Sequence, residues 1–276
     1  MTTDPAPRAP RAVTCDLWHT LLEVRPGSER GLASARERAW VRPLVAMGRS
    51  EPDALRAVRT MRAEAERMQS TGRSVPIRAQ ARLLRSLTGT TVDAGAVAES
   101  IGTAALATPV RIAPGAVVAL RGLARQGARL GLVSNILSEP PEAIRTILAR
   151  AGLDRWFAAV YLSAEHRYAK PSPRPFRSVL EDLDASPAEA VHIGDHSDDV
   201  RGAIAAGVPV IRFTGMLAGY PTEPDDALAR VPPGVPSFAD WQELRERWPK
   251  LLEAARGALR GGRIVPARRA RSARAG

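Results

Sequence analysis

Cysteine is almost missing from this chain. Cys15 stands alone among 276 residues, so no internal disulfide can staple the fold. That usage fits a reducing, cytoplasmic setting. Set in a short apolar run, Cys15 reads as a small buried strand residue rather than a reactive thiol. Lysine is nearly as scarce: Lys170 and Lys250 are the only two, against a large excess of arginine. A lysine inside a motif is therefore hard to read as background. No apolar run approaches the roughly 20 residues that a membrane-spanning helix needs. The opening Met-Thr-Thr-Asp-Pro-Ala-Pro-Arg-Ala-Pro has no apolar core of the kind a secretion signal carries. Residues 1–10 are expected to be a flexible leader.

Acids are missing from one end. Residues 256–276 carry Arg256, Arg260, Arg263, Arg268, Arg269, Arg271 and Arg274 with no acid and no aromatic, and so supply seven of the eleven formal net positive charges. Residues 254–276 are expected to form a disordered basic tail. Such a tail gives weak, salt-sensitive attraction to polyanions, which is not the signature of a dedicated nucleic-acid interface. Elsewhere the composition, 45% hydrophobic and 25% charged overall, is that of a globular chain able to bury a full core.

What is present begins at residues 12–15, a short β-prone run that ends abruptly at Asp16. This predicts a buried strand delivering a carboxylate at its C-terminal tip, where ligands bind in open parallel α/β sheets. A carboxylate between apolar segments is costly unless paired, so partners are sought further along. Residues 25–108 then change character. Helical patterning covers about 32–47, 51–69, 76–87 and 92–106, a four-helix module with its own apolar faces. From about 110 onward helices and strands alternate. Strands are predicted at 128–133, 158–162, 190–193 and 208–213, and helices at 114–126, 140–152, 173–183, 198–206 and 238–252. Alternation of this kind implies a parallel sheet covered by helices. The sheet is split, with its first strand before the helical module and the others after it. The domain reading is therefore 11–24 and 109–253 for an α/β core, with 25–108 inserted beside the first strand's tip.

Four polar sites fall at strand tips or in the loops that follow: Asp16, Ser134 with Asn135, Lys170, and Asp195 with Asp199. A parallel sheet gathers such tips on one edge. His192, inside a predicted strand, reads as a packed core histidine, and His196 as a loop residue.

In type and order these segments resemble the haloacid dehalogenase-like (HAD) hydrolase superfamily. The segments are Cys15-Asp16-Leu17-Trp18-His19-Thr20-Leu21-Leu22, Leu132-Val133-Ser134-Asn135, Ala169-Lys170-Pro171-Ser172-Pro173, and His192-Ile193-Gly194-Asp195-His196-Ser197-Asp198-Asp199. The resemblance spans roughly residues 11–240. It implies a Rossmann-like parallel sheet core with an inserted helical cap. It implies Asp16 as nucleophile through an aspartyl-phosphate, Ser134 as a donor to the phosphoryl group, and Lys170 as its compact cation. Trp18, Thr20 and Asn135 would join Ser134 and Lys170 around a small phosphorylated metabolite. Asp16, the Trp18 carbonyl, Asp195 and Asp199 would hold Mg²⁺.

One position departs from the superfamily's usual phosphatases, which carry a second Asp two residues after the nucleophile as general acid and base. Here that residue is Trp18, whose indole exchanges no proton near neutrality. General acid–base help is typically worth about 10²–10⁴-fold, so three readings stay open: a phosphatase served by a good leaving group, by substrate assistance or by a nearby group such as His19, a metal-free haloacid dehalogenase, or a non-catalytic binding protein. The acidic pair at Asp195 and Asp199 favours the first. Substrate selection is expected from the cap, with Arg36, Arg42 and Arg78 as candidates facing the cleft.

Overall fold

The computed structural model describes residues 9–216 and 231–261. The expected leader, residues 9 and 10 excepted, and tail residues 262–276 lie outside that range. Eight strands and nine helices are ordered along the described chain. They are β1 Ala12–Cys15, β2 Leu22–Val24, α1 Glu29–Ala46, α2 Glu51–Ser70, α3 Ile77–Thr88, α4 Ala94–Ala107, β3 Val110–Ile112, α5 Ala116–Arg125, β4 Arg129–Ser134, α6 Pro141–Arg150, β5 Ala159–Leu162, α7 Arg174–Asp182, β6 Ala190–Gly194, α8 Ser197–Ala206, β7 Val210–Phe213, β8 Ser237–Phe238 and α9 Trp241–Arg260. None of the described helices is long and apolar enough to cross a membrane.

Six strands form one sheet in the order β5-β4-β1-β6-β7-β8, and every pairing in it is parallel. β1 lies between β4 and β6, with Val13 opposite Leu130 on one side and Val191 on the other. All four β1 residues are buried. Because side chains alternate across a strand, Val13 and Cys15 join one core, with residues of α5, α6 and α9, and Ala12 joins the other, with residues of α7 and α8. The result is three layers, helices on both faces of a parallel sheet, as the alternating pattern implied.

Helices α1–α4 bury a third and separate core around Trp40, Leu44, Val58, Met61, Leu84 and Ile101. Ser50 starts α2 by accepting from the Asp53 amide, and Asp93 starts α4 by accepting from the Gly95 and Ala96 amides. Gly89, in the left-handed conformation at φ 69°, closes α3.

Three elements differ from the sequence reading. β2 and β3 pair as a short antiparallel ribbon where the chain leaves and re-enters the sheet region. Each has three residues, and a buried Glu23 facing Arg111 broke the apolar pattern that would have marked them. β8 occupies residues expected to begin the closing helix, because the edge of β7 still had main-chain groups to pair. Helix α9 runs to Arg260, past the boundary at 253–254 where a disordered tail was expected. Ala255 is buried, and Ala258 and Leu259 pack against the core, so apolar contact carries the helix on. Arg256 and Arg260 belong to its last turns, where the helix dipole favours positive charge.

Packing of α7 on the sheet depends on Gly131 in β4, where an added Cβ would sit 2.4 Å from Val179 Cγ1. Gly131→Ala should cost about 1–3 kcal/mol through overpacking, lowering Tm by roughly 2–4 °C per kcal/mol. Gly122→Ala in α5, where nothing lies within 4 Å of an added Cβ, should instead hold or raise Tm, because alanine favours a helix interior by about 0.5–1 kcal/mol. Thermal unfolding of both variants checks the contrast.

Candidate active site

The sheet's C-terminal edge collects the polar residues that the sequence scattered. Asp16 follows β1, Ser134 ends β4 and Asp195 follows β6, the three central neighbours. The chain proceeds from β1 to strands on both of its sides, the topological switch point at which open α/β sheets bind ligands. Lys170 enters from the loop before α7, and Asp199 from the first turn of α8.

These groups are in direct contact. Lys170 Nζ donates to Asp16 Oδ1 at 2.5 Å and to Asp199 Oδ1 at 2.6 Å. Lys170 is 3% exposed, Asp16 6% and Asp199 0%, so the ammonium is shared between two carboxylates out of water. Carboxylate oxygens of Asp16, Asp195 and Asp199 all lie within 4.8 Å of one another. Gly194 makes room for this. A Cβ there would fall 2.4 Å from the Asp199 Cγ, so the carboxyl rests against bare backbone.

Several expected contacts take a different form. Thr20, expected at the substrate, is buried and donates to Asp195 Oδ1 at 2.9 Å, so it orients that acid. Asn135 lines the cleft, but both ends of its amide grip the Lys170 main chain. Nδ2 donates to the carbonyl at 3.0 Å, and Oδ1 accepts from the amide at 2.8 Å. It positions the lysine loop. The Ser134 hydroxyl is buried and has no hydrogen-bond partner among the described residues, a donor left for something else. His196 caps α8, with its Nδ1 accepting from the Asp198 amide.

The electrostatics follow from burial and proximity. Desolvation raises the Asp16 pKa; Lys170 opposes this and Asp199 reinforces it. Asp195 is raised well above the ordinary carboxylate range by burial, then by repulsion from Asp16 and Asp199. Asp199 goes the other way: burial would raise it, but Lys170 and His192 overcome that and hold it low. Burial would likewise lower Lys170, yet Asp16 and Asp199 raise it, so the ammonium stays charged. Burial lowers His19, and the neighbouring His196 adds to the effect. Burial raises Cys15, then Asp16 raises it further, which leaves an inert thiol. Three close carboxylates, only partly offset by one ammonium, form an oxygen donor set suited to a hard divalent cation.

A cavity of about 200 Å³ opens on this cluster, lined by Asp16, Trp18, His19, Asn135, Lys170, Asp195, His196 and Asp198 from the sheet domain and Gln69 from the end of α2. The helical module is seated here through its 71–76 connection. Ser74 donates its amide to the Arg167 carbonyl, and Ala169 donates to the Gly72 carbonyl. Gln69 was not singled out from the sequence. Its Nε2 is buried without a partner among the described residues. The three cap arginines named from sequence line no part of this cavity. Arg36 pairs with the buried Glu139 at the junction of α1 and the loop before α6, Arg78 lines a separate recess, and Arg42 is exposed. Arg36 is drawn away because Glu139, 6% exposed, requires a cation of its own.

Comparison with known proteins gives a consistent picture. The haloacid dehalogenase-like hydrolase family matches residues 10–207. The chain is 35% identical over 130 residues to phosphoglycolate phosphatase of Rhodospirillum rubrum, covering 46% of this chain and 52% of that protein. It is 31% identical over 154 residues to a plasmid-encoded phosphoglycolate phosphatase of Cupriavidus necator, covering 56% and 58%. The chain thus spans between half and three-fifths of the length of these relatives. In structure it is similar to 2-haloacid dehalogenase from Pseudomonas syringae pv. Tomato DC3000, with a TM-score of 0.58 at 23% identity over 86% of this chain and 99% of that one, a likeness of fold.

The raised pKa of Asp195 has a signed consequence in chelator. A folded state that holds the proton more tightly loses stability as pH rises from the unfolded value, 3.8, toward the raised one. Asp195→Asn removes that slope while keeping an acceptor for Thr20. At pH 7 the variant should melt higher than wild type by some 2–4 °C, or about 1 kcal/mol, and the difference should vanish toward pH 4. Thermal unfolding across pH in EDTA measures both.

Proposed function

This chain belongs to the haloacid dehalogenase-like hydrolase family, and from that premise we propose that it is a Mg²⁺-dependent phosphatase acting on a small phosphorylated metabolite in a reducing cytoplasm. One observation carries the reading: three buried carboxylates crowd together beside a single ammonium that bonds only two of them, leaving the cluster short of positive charge. Asp16, Asp195 and the Trp18 carbonyl would hold the ion, with Asp199 beside them. When bound, it neutralises charge between the carboxylates and an incoming phosphoryl oxygen.

The chain's own groups have distinct tasks. Asp16 attacks phosphorus through a carboxylate oxygen; the bond to the ester oxygen breaks and the alcohol leaves on taking a proton, and water then cleaves the aspartyl-phosphate to phosphate and the free carboxylate. Lys170, charged and fixed by two carboxylates, faces the transferring group as a compact cation. The unpartnered Ser134 hydroxyl donates to a phosphoryl oxygen. Trp18 lines the cavity and brings no exchangeable proton. His19 lines the same cavity, and proton exchange in place of Trp18 would fall to such an imidazole, to a good leaving group or to the substrate itself. Residues 25–108 act as a cap, with Gln69 as the cap's contribution to the cavity wall.

The two relatives named for phosphatase activity support this reading over dehalogenation. So does charge. A haloacid brings a carboxylate to a cluster already rich in them, and supplies no cation.

Purified protein should release phosphate from a panel of small phosphate esters with Mg²⁺ and lose that activity in EDTA. Asp16→Asn should lower kcat by roughly 10³-fold or more, as removal of a nucleophile does, with the fold intact by circular dichroism. Halide release from 2-haloacids that is indifferent to chelator would overturn the proposal. Activity toward neither class, with folding intact, would do the same and point to a binding role.

A further inference from the structure

His192 is fully buried in β6, at 0% exposure, and both of its ring nitrogens are engaged. Nδ1 lies 2.9 Å from the hydroxyl oxygen of Thr14 in β1, and Nε2 lies 3.0 Å from Asp199 Oδ1. The edge of the ring meets Phe176 from α7, with centroids 4.9 Å apart, and this fixes its plane. Asp199 Oδ1 also receives Lys170 Nζ, which in turn reaches Asp16. Five side chains thus form one unbroken buried line: Thr14, His192, Asp199, Lys170, Asp16.

Proton accounting fixes the direction of that line. The Asp199 carboxylate can only accept, so His192 Nε2 carries a hydrogen and donates it. With that hydrogen on Nε2, the other nitrogen, Nδ1, is left to face the Thr14 hydroxyl, which can donate to it. Asp199 Oδ2 accepts from the His196 amide at 3.1 Å. Besides Lys170, each oxygen of Asp199 is therefore held by a donor on a fixed backbone or a wedged ring.

We propose that His192 is a positioning residue, which holds the Asp199 carboxylate so that it presents Lys170 to Asp16, with Thr14 engaging the ring's other nitrogen. The reaction it serves rests on the phosphatase reading above. Without the Nε2 donor, Asp199 Oδ1 keeps only its bond from Lys170, and the carboxylate is held otherwise by the His196 amide alone. The second anchor of Lys170 is then looser, and so is its alignment on Asp16. A core histidine that only fills space would be replaceable by any apolar side chain of similar size.

The test compares two substitutions and one spectrum. His192→Leu keeps bulk and removes the donor; kcat for phosphate release should fall about 10-fold or more, the scale of one hydrogen bond to a charged group. KM should stay within about threefold, since the substrate-facing groups remain. His192→Gln carries an amide donor at nearly the Nε2 position and should retain most of the wild-type kcat. Long-range ¹H–¹⁵N correlation on wild-type protein labelled at histidine should show His192 protonated at Nε2 and bare at Nδ1. The signal is assigned by its loss in His192→Gln.

Equal activity of His192→Leu and wild type overturns the proposal. So does His192→Gln impaired as severely as His192→Leu, or a ring protonated at Nδ1. If His192→Leu does not fold, Thr14→Val takes its place: Asp199 still keeps the hydrogen on Nε2, the Nδ1 resonance should move as its partner is lost, and an unmoved Nδ1 resonance or a hydrogen lost from Nε2 counts against the proposal. The spectrum is read without turnover. Wild-type protein that releases no phosphate therefore sinks the phosphatase reading alone, and the ring signal still decides the hydrogen-bonded line.

Discussion

A single ammonium group shared by two buried carboxylates is the constraint on which the rest of the structure depends. Lys170 lies within 2.6 Å of both Asp16 and Asp199, and all three are removed from water. Burying such charges is expensive, and losing one partner from a buried pair typically costs about 3–5 kcal/mol. The fold must therefore deliver all three together or not form in this shape. Its means are visible in the surroundings. Asn135 grips the Lys170 main chain at both of its polar groups. Gly194 leaves the space that the Asp199 carboxyl occupies. His192 and the His196 amide hold the carboxylate's two oxygens. These contacts come from β4, β6 and the start of α8, and they serve one geometry.

The parallel sheet is what makes that geometry reachable. Asp16 and Lys170 are 154 residues apart in sequence, yet strand tips on one edge bring them into contact. Placing β1 between β4 and β6 means that its tip is flanked by two others, so acids from β1 and β6 and a hydroxyl from β4 meet without any long loop. Inserting the four-helix module just after β1 puts a separate core beside the same edge. The module is tied there by main-chain bonds from Gly72 and Ser74 and by the Arg36–Glu139 pair. Gly72, at φ 86°, permits the close approach, since a Cβ would lie 3.0 Å from Ser172.

Much of this was legible in the sequence because it rests on local pattern. The β1 bounds follow from four residues of apolar, β-prone character ending at an acid. The four inserted helices fall within a few residues of their predicted positions, since each gives apolar residues to one shared core and α2 and α4 also start on side-chain caps. The meeting of Asp16, Lys170, Asp195 and Asp199 could be anticipated because the strand tips of a parallel sheet share one edge. Pairwise side-chain choices could not. Thr20 serves Asp195, Arg36 serves Glu139, and His192 bridges Thr14 and Asp199. Each assignment depends on rotamers and on a partner from a distant element. Short edge elements escaped for a related reason. β2, β3 and β8 have two or three residues each and acquire strand form from their neighbours.

The site is unbalanced in a way that speaks to its ligand. Three carboxylates face one ammonium, and the consequence is already present in Asp16 and Asp195, whose acidity burial and mutual repulsion weaken. The Ser134 hydroxyl and the Gln69 amide nitrogen are buried with no partner among the described residues. Buried polar groups are rarely left so, because an unmade hydrogen bond costs about 1–3 kcal/mol. One kind of occupant meets both demands: an oxygen-rich anion arriving with a divalent cation. The cation answers the carboxylates, and the anion's oxygens answer the hydroxyl, the amide and the ammonium. An organic acid alone would satisfy the donors and worsen the repulsion. A cation alone would relieve the repulsion and leave the donors bare. Unmet charge and unmet hydrogen bonds thus lend the proposed phosphatase reading a support that does not depend on what any relative is called.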